Sequence, residues 1–223
     1  MPDHWEIAGI LGEIGKYVDE HDIRITSHPG PFNVLTSPHE HVVENCINDL
    51  SIHGEVFDMM GLSRTPYNKI NIHIGGAYGD KPSAMKRFCK NFHRLPNSVK
   101  SRLTVENDDK ASMYSVVDLY EGVYKTIGIP IVFDYHHHKF CTGGLSEEDA
   151  LEVAISTWGD VVPVVHYSES RNIEQEDDKI RPQAHSDYVY DYIDTYGNEV
   201  DIMVEAKACL LYTSDAADEE DSV

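Results

Sequence analysis

The sequence predicts an α/β fold in which helices cover a parallel β-sheet. Six short apolar segments alternate along the chain with segments whose apolar residues recur at helical spacing. Segments such as 129–133 and 161–165 are continuously apolar rather than alternating, as in strands that are buried on both faces of a parallel sheet. A doubly wound sheet and an eight-fold barrel both fit this order. No Gly-x-Gly-x-x-Gly follows a predicted strand, which argues against a dinucleotide site.

The first half of the chain contains three predicted helices and three predicted strands. In chain order they are helix 4–19, strand 23–27, a helix that opens at 37–40 and ends at 61, strand 69–76, helix 85–95 and strand 102–107. The second helix has the clearest start, because Ser37 can cap it, Pro38 fits its first position and Glu40 completes a capping box. Gly61 is predicted to end it.

The second half of the chain repeats this alternation. Its predicted elements are helix 117–127, strand 129–133, helix 146–158, strand 161–166, a Tyr-rich helix within 181–196 and strand 200–205. Ser146 is the expected cap of its helix. Strand 129–133 runs directly into Asp134, and His137 follows at an Asp-x-x-His spacing. A carboxylate beside imidazoles suits Mn, Zn, Fe or Co, although a solvated His-rich loop would have the same sequence pattern.

Size and composition indicate one intracellular domain. The chain has 223 residues, enough for a domain close to barrel size, and 41% of them are hydrophobic. It has no run of 18 apolar residues and no secretory signal, so neither a membrane span nor export is expected. Four scattered cysteines without a C-x-x-C motif favour a reducing, cytoplasmic location and argue against zinc-finger chemistry.

Potential metal ligands stand at the ends of the predicted strands. The candidates are His28, His73, Glu106, Asp134, His137, His166, His185 and Glu205. The C-terminal ends of parallel strands share one rim, and active sites of α/β folds lie there. Eight donors exceed what one ion takes, so two or three ions are expected. A single histidine at a strand end is more often an ordinary hydrogen-bonded residue, so the prediction depends on the repetition.

Seven short motifs between residues 5 and 208 resemble those of the UV-damage endonucleases, which are relatives of the endonuclease IV barrels. They are Ser-His-Pro-Gly at 27–30, Ile-His-Ile-Gly-Gly at 72–76 continuing to Gly-Asp-Lys at 79–81, Leu-Thr-Val-Glu-Asn-Asp at 103–108, Phe-Asp-Tyr-His-His at 133–137, Val-His-Tyr-Ser at 165–168, Ala-His-Ser-Asp at 184–187 and Asp-Ile-Met-Val-Glu-Ala-Lys at 201–207. As a set, these motifs are highly specific.

The resemblance implies a (β/α)₈ barrel, here incomplete, with two or three divalent ions, typically Mn²⁺, with Mg²⁺, Zn²⁺ or Co²⁺ as alternatives. It implies a monomeric DNA repair endonuclease that hydrolyses the phosphodiester on the 5′ side of UV photoproducts or other damaged bases in double-stranded DNA. The eight candidates above would be the metal ligands, with Glu106, Asp134 and Glu205 catalytic. Phe32 and Lys81 are candidate DNA contacts.

Two positions depart from the family pattern. The family usually has Gln and then an aromatic residue after His-Pro-Gly, where this chain has Pro31 and Phe32. Phe32 can still stack against bases, but Pro31 offers no side-chain hydrogen bond. Many members carry a modified Lys two residues before the ligand at position 166, where this chain has Val164. The range of lesions and the fine geometry of the metal site are therefore expected to differ.

The two ends of the chain do not fit a whole barrel. The first two strands of the barrel are expected to be missing, which leaves a partial domain over 1–208. Residues 209–223 resemble a translated sequencing adapter and are predicted to be a non-native or disordered acidic tail. The formal net charge of −21 has the wrong sign for a simple nucleic-acid binder. Part of that charge lies in the tail, and bound cations would offset more of it.

Two rival interpretations remain at the level of the sequence. One is a metal-dependent sugar isomerase or epimerase on the same barrel, in which carboxylates dominate over imidazoles as ligands. Five histidines among the eight candidates favour the nuclease instead. The other is a non-catalytic fragment, which follows from the missing strands. An unclosed barrel would also leave two strand edges without partners, which is an aggregation risk.

Overall fold

The computed structural model describes residues 4–208, which form a curved, wholly parallel sheet flanked by helices. The strands are β1 (Ile70–Ile72), β2 (Leu103–Glu106), β3 (Ile131–Asp134), β4 (Val164–Tyr167) and β5 (Asp201–Val204). They pair in the order in which they occur along the chain. A doubly wound sheet would reverse its order at a switch point, whereas a barrel wall does not. The predicted incomplete barrel is confirmed, and the doubly wound alternative is wrong.

Helices fill the connections between strands. They are α1 (His4–Glu20), α2 (Glu40–Met59), α3 (Lys81–Phe92), α4 (Asn97–Lys100), α5 (Val116–Leu119), a π-helical turn (Tyr120–Tyr124), α6 (Lys125–Ile127), α7 (Tyr135–His138), α8 (Glu147–Ile155) and α9 (Arg171–Glu174), with a 3₁₀ turn at Pro66–Asn68. Between residues 4 and 208, none of these helices combines the length and the apolar character that crossing a membrane would require.

The hydrophobic core lies between the sheet and the helices on its outer side. Leu50 of α2, Phe88 of α3, Leu119 of α5 and Leu151 of α8 are fully buried in the cluster that also contains Phe133 of β3. These residues alternate with polar positions at helical spacing, which is why the sequence pattern locates them. The core therefore holds the strands in place and leaves their C-terminal ends free to carry polar side chains.

Several helix boundaries follow the sequence prediction. The Ser146 side chain accepts a hydrogen bond from the backbone N–H of Asp149 at 3.1 Å and caps α8. Gly61 and Gly128 both adopt a φ of 72°, the left-handed conformation with which glycine ends a helix. The predicted helix at 117–127 corresponds to α5, the π-helical turn and α6.

The predicted strand at 23–27 is reduced to a single bridge. The backbone N–H of Ser27 donates to the Lys69 carbonyl at 2.9 Å, and the N–H of Asn71 donates to the Ser27 carbonyl at 2.8 Å. Pairing does not extend further, because Pro29 has no N–H to donate and the chain turns after it. The described residues thus contain five strands rather than the six predicted.

The predicted capping box at the start of α2 is wrong. The helix begins at Glu40, and His39 rather than Ser37 is its N-cap residue. The Ser37 hydroxyl accepts from the backbone N–H of His39 at 3.1 Å, so it organises the turn before the helix. The Glu40 carboxylate pairs with Arg94 at 2.6 Å instead of reaching back to the cap.

The predicted Tyr-rich helix within 181–196 is also wrong, because this segment is an irregular loop. The Glu169 carboxylate accepts from the backbone N–H groups of Tyr190 and Asp191, each at 2.9 Å. The Glu174 carboxylate accepts in the same way from Asp187, at 2.7 Å. Since these amides donate to side chains, they are not available for the ladder of a helix. The predicted tail at 209–223 lies outside the described residues.

One ion pair joins the two sides of the curved sheet at the N-terminal ends of its strands. Arg24, which precedes β1, donates through Nη1 to Asp201 Oδ2 of β5 at 2.6 Å and to the Val162 carbonyl at 2.8 Å. Its Nε also donates to the Tyr67 carbonyl at 2.7 Å. The first and last described segments of the sheet therefore lie within reach of a single side chain, as expected for a curling barrel wall.

A second arginine is completely buried behind β2. The Arg102 side chain has no exposed surface and donates to Asp58 Oδ1 at 2.8 Å. It also donates to the backbone carbonyls of Leu62, Ser63 and Ser98. Asp58 is the one carboxylate among these acceptors, so it balances a buried charge that would otherwise be unpaired.

We expect Asp58→Asn to lower the free energy of unfolding by about 2 kcal/mol, since it leaves the buried Arg102 charge without a counter-charge. Hydrogen bonds from Arg64 and from Arg102 hold the pKa of Asp58 below its usual value. The stabilisation should therefore be complete above the unfolded-state carboxyl pKa and be lost as the pH falls through the lower folded-state pKa. Urea unfolding of both proteins at pH 7 and in acid measures the difference.

Glu121→Gln is the matched control, because Glu121 pairs with Lys125 on an exposed helix surface at 2.7 Å. Such pairs contribute less than about 1 kcal/mol. Equal effects of the two substitutions at pH 7 would contradict the role assigned to Asp58.

Candidate metal centre

The eight candidate ligands come together on the C-terminal rim of the sheet or directly beside it. Glu106 and Asp134 are the last residues of β2 and β3, and His73 and Glu205 follow β1 and β5 immediately. His166 is the third residue of β4 and is fully buried. The remaining three are His28, which follows the Ser27 bridge, His137 on α7, and His185 in the loop after α9.

One group of donors contains His28, Glu106, His166 and Glu205, whose ligand atoms all lie within 4.8 Å of one another. Glu106 Oε2 is 3.1 Å from His28 Nε2 and 3.1 Å from His166 Nδ1. His166 Nδ1 is also 2.8 Å from Glu205 Oε1. Two imidazoles and two carboxylates thus surround one small volume.

A second group contains His73, Glu106 and His137, again within 4.8 Å of one another. Glu106 Oε1 is 3.3 Å from His137 Nδ1 and 3.8 Å from His73 Nε2. The two oxygens of Glu106 therefore face different groups. Glu106 is the only residue that both groups share among the described residues.

Asp134 and His185 lie beside these groups without belonging to either. Asp134 Oδ2 is 3.8 Å from His137 Nδ1, and Asp134 Oδ1 accepts from the His137 backbone N–H at 2.8 Å. His185 Nδ1 is 3.6 Å from Glu205 Oε2. All eight candidates are thus brought together, with six of them in the two compact groups.

The carboxylates and imidazoles of the centre shift one another's pKa values. Burial alone would raise the pKa of Glu106, but His166 and His73 hold that pKa well below its usual value. Burial would also lower the pKa of His166, yet the Glu106 charge raises it to about 9. In the same way, Asp134 outweighs burial and raises the pKa of His137 to about 10. Asp134 itself is buried so deeply that its pKa rises to about 6.

The residues present fit divalent metal ions. Several buried polar atoms of the centre make no well-aligned hydrogen bond among the described residues, although charged groups lie close to them; they are Glu106 Oε1, Asp134 Oδ2, His73 Nδ1, His166 Nδ1 and His185 Nδ1. Unsatisfied buried polar atoms are costly, and a cation between them would satisfy them together. A mixed set of imidazole nitrogen and carboxylate oxygen suits manganese, zinc, iron or cobalt.

The sequence prediction missed the residues that form hydrogen bonds with the candidate ligands. Asn71 Nδ2 donates to Glu106 Oε2, and the Thr104 hydroxyl donates to Asn71 Oδ1 at 2.8 Å. The Asn107 side chain exchanges two hydrogen bonds with the backbone of Asp134, at 2.9 and 3.0 Å. For Asn71 and Thr104 the available signal was alternation, because each lies two residues before a candidate ligand and so points to the same face of the sheet.

A buried lysine also lies beneath the centre. Lys69 has no exposed surface, and its Nζ is 3.1 Å from His166 Nε2. Burial lowers the pKa of Lys69 to about 8. Asp108 is a further neighbour, with Oδ1 3.2 Å from His73 Nδ1. Neither residue was among the sequence candidates.

The two groups open into a cavity of about 780 Å³ that His28, His73, Glu106, His137, His185 and Glu205 help to line. Pro31 lines it as well, and Phe32 beside it is 86% exposed. Lys81, the other predicted DNA contact, lies on the first turn of α3 and pairs with Asp118 at 3.1 Å. Val164, where the family often has a lysine, is buried in β4.

Because both groups share Glu106, we expect Glu106→Gln to weaken Mn²⁺ binding at both by more than about tenfold. His73→Ala should weaken binding at one group alone, since His73 belongs to only one. Calorimetric titration with Mn²⁺ measures affinity and stoichiometry. His41→Ala, on the exposed surface of α2, is the control and should leave both unchanged. A loss confined to one class of site in Glu106→Gln would contradict the shared position.

Comparison with known proteins agrees with this geometry. The family model described as UV-endonuclease UvdE matches residues 4–210. The UV DNA damage endonuclease of Bacillus mycoides (strain KBAB4) is 37% identical over 212 residues, which cover 90% of this chain and 63% of that protein. The enzyme of Bacillus pumilus (strain SAFR-032) is 38% identical over 208 residues, covering 87% and 61%. The chain thus spans less than two thirds of the length of these curated relatives.

Solved structures give the same assignment. The crystal structure of SacUVDE superposes with a TM-score of 0.78 at 36% sequence identity, covering 91% of this chain and 66% of that one. An L-ribulose 3-epimerase superposes with a TM-score of 0.59 at 12% identity, covering 88% and 66%. At that identity the likeness concerns the barrel fold alone. The family model, the curated relatives and the SacUVDE structure together show that the chain belongs to the UV-damage endonuclease family.

Proposed function

We propose that the chain carries the metal centre of a divalent-metal-dependent DNA repair endonuclease. The proposed reaction is hydrolysis of the phosphodiester on the 5′ side of UV photoproducts or other damaged bases in double-stranded DNA. The observation that supports it best is the pair of ligand groups that share Glu106. Two cations held a few ångströms apart are the arrangement that suits in-line displacement at phosphorus.

The proposed ligands are the eight side chains predicted from the sequence. Bound divalent ions would supply a water of lowered pKa and a counter-charge for the departing oxygen. Glu106, Asp134 and Glu205 bring negative charge that attracts the cations and keeps them on the rim. Their side chains are 1%, 0% and 25% exposed, so the charges act in a poorly solvated site where electrostatic interactions are strong.

Two or three ions, most suitably Mn²⁺, fit the proposed donor set. Imidazoles and carboxylates in mixed groups are compatible with Mn²⁺, Zn²⁺ and Co²⁺, and carboxylates alone with Mg²⁺. Asp134 and His185 are the proposed donors for a third position, because each lies within 4 Å of a group member without belonging to a group. We further propose an intracellular location, since cellular DNA is the proposed substrate.

Acidic surface and a DNA substrate are compatible in this proposal. The carboxylates of the centre, which would face the reacting phosphate, are the ones that bound ions would neutralise. Phe32 is the proposed base contact, because its ring is 86% exposed next to the cavity and can stack on or wedge between bases. Lys81 is a weaker candidate, since its ammonium is already paired with Asp118 at 3.1 Å.

The epimerase alternative rests on the fold alone. The D-psicose 3-epimerase of Clostridium cellulolyticum H10 is 14% identical to this chain with a TM-score of 0.54. No feature of the centre favours a sugar substrate over a phosphodiester. Four of the six residues in the two compact groups are histidines, in contrast to the carboxylate-rich centres expected for such enzymes.

We expect the purified chain to nick UV-irradiated supercoiled plasmid in the presence of Mn²⁺, and to leave unirradiated plasmid intact. Chelation with EDTA should stop the reaction, because the proposed attacking water depends on bound metal. Conversion of supercoiled to relaxed plasmid on agarose gels measures nicking. End-labelled duplex with a single photoproduct locates the cut.

Glu106→Gln should reduce the nicking rate at least 100-fold, an order of magnitude typical of removing charge stabilisation at a reacting centre. The variant should still fold, as shown by thermal unfolding in EDTA. Absence of nicking by the unchanged chain at saturating Mn²⁺, together with turnover of a ketohexose, would favour the epimerase and refute the proposal.

A further inference from the structure

A short chain of hydrogen bonds runs from the barrel interior to Glu106. The Thr104 hydroxyl donates to Asn71 Oδ1 at 2.8 Å, and Asn71 Nδ2 donates to Glu106 Oε2. Asn71 and Thr104 have no exposed surface, and Glu106 is 1% exposed. Because these groups are shielded from bulk solvent, the loss of one of these hydrogen bonds would leave a buried polar group without its partner.

Strand register explains why these three side chains meet. Asn71 of β1 is the direct partner of Thr104 of β2 in the parallel ladder. Thr104 and Glu106 are two residues apart in β2, so their side chains point to the same face of the sheet. The two neighbouring strands thus place hydroxyl, amide and carboxylate in sequence along the inner wall.

The Glu106 carboxylate and the Thr104 hydroxyl together decide which end of the Asn71 amide faces Glu106. The ionised carboxylate can only accept, so it takes the amide NH₂ group, and the hydroxyl donates to the amide oxygen that remains. The opposite orientation would place the amide oxygen against the charged Glu106 oxygens and leave the hydroxyl without its acceptor. Both changes are unfavourable in a buried site, so one orientation is fixed.

The fixed Asn71 amide gives the two oxygens of Glu106 different surroundings. Oε2 receives the Asn71 hydrogen bond and faces His28 and His166. Oε1 is buried without a donor and faces His73 and His137. The plane of the carboxylate is therefore held so that each oxygen points to its own ligand group.

We propose that Asn71 and Thr104 are positioning residues that hold Glu106 in the orientation needed to serve two metal ions at once. This inference rests on the proposed function, because it concerns the same metal centre. Thr104 acts through Asn71, and Asn71 acts through Glu106. Partners of this kind, which hold a ligand rather than the ion, typically change metal affinity 10- to 100-fold when removed.

A pair of substitutions at Thr104 separates positioning from simple packing. Thr104→Val keeps the shape of the side chain and removes the hydroxyl, whereas Thr104→Ser keeps the hydroxyl and removes a methyl group. Positioning predicts that Thr104→Val weakens Mn²⁺ binding at both ligand groups by about tenfold and that Thr104→Ser binds like the unchanged chain. Packing alone predicts the reverse order, with the serine variant the weaker.

Asn71→Leu provides a second test that does not depend on the valine variant folding. It should weaken Mn²⁺ binding about 10- to 100-fold, because the hydrogen bonds of Asn71 to Thr104 and to Glu106 are both lost. Asn91→Leu is its control. Asn91 is a buried asparagine of α3 whose amide donates to the Leu35 carbonyl at 2.9 Å, and it contacts no ligand. The control should bind Mn²⁺ with unchanged affinity.

The measurements are Mn²⁺ titration calorimetry on the 223-residue chain and thermal unfolding in EDTA. If the unchanged chain binds no Mn²⁺, the proposed metal centre itself is refuted. If it binds Mn²⁺ and Asn71→Leu binds equally well, the positioning role is overturned while the metal centre stands. Equal losses in Thr104→Val and Thr104→Ser would also overturn it, because the hydroxyl would then not be the feature that matters.

Discussion

The structure depends on one buried carboxylate. Glu106 is 1% exposed at the end of β2, and imidazoles from four other segments of the chain approach it. A charge in such a place is tolerated only when it is compensated, and here the histidines hold its pKa well below its usual value. Both ligand groups are built on this residue, so the geometry of the centre is the geometry around Glu106.

The barrel wall makes this convergence possible. Five parallel strands in sequence order place their C-terminal ends side by side along one curved rim. Each strand contributes a donor at or near its end, and helices on the outer side supply the apolar packing that holds the strands together. The inner face can therefore carry polar residues such as Lys69, Asn71 and Thr104, all fully buried, without loss of the core.

The site was easier to predict than its supports, for a physical reason. Candidate ligands such as His73 and Asp134 stand where a buried strand ends, which is the position that drew attention to them. Asn107 and Lys69 have no such signal, since an asparagine after a strand most often belongs to a turn. For the Tyr-rich segment at 181–196 the sequence pattern predicted an element that the structure does not contain. Its apolar spacing suggested a helix, but its amides bond to Glu169 and Glu174, which lie outside the segment.

The sequence by itself determined the α/β class and the family to which the chain belongs, and it singled out the eight candidate ligands that the structure brings together. These follow from local patterns, because the composition of a strand and the spacing of a motif each involve residues that are close together in the sequence. Only the tertiary structure decided that the strands follow one another without reversal and that Glu106 is shared by two ligand groups. It also decided that the Thr104 hydroxyl meets the Asn71 amide. Strand order and register are set by packing between segments far apart in the chain, and no local pattern contains that information.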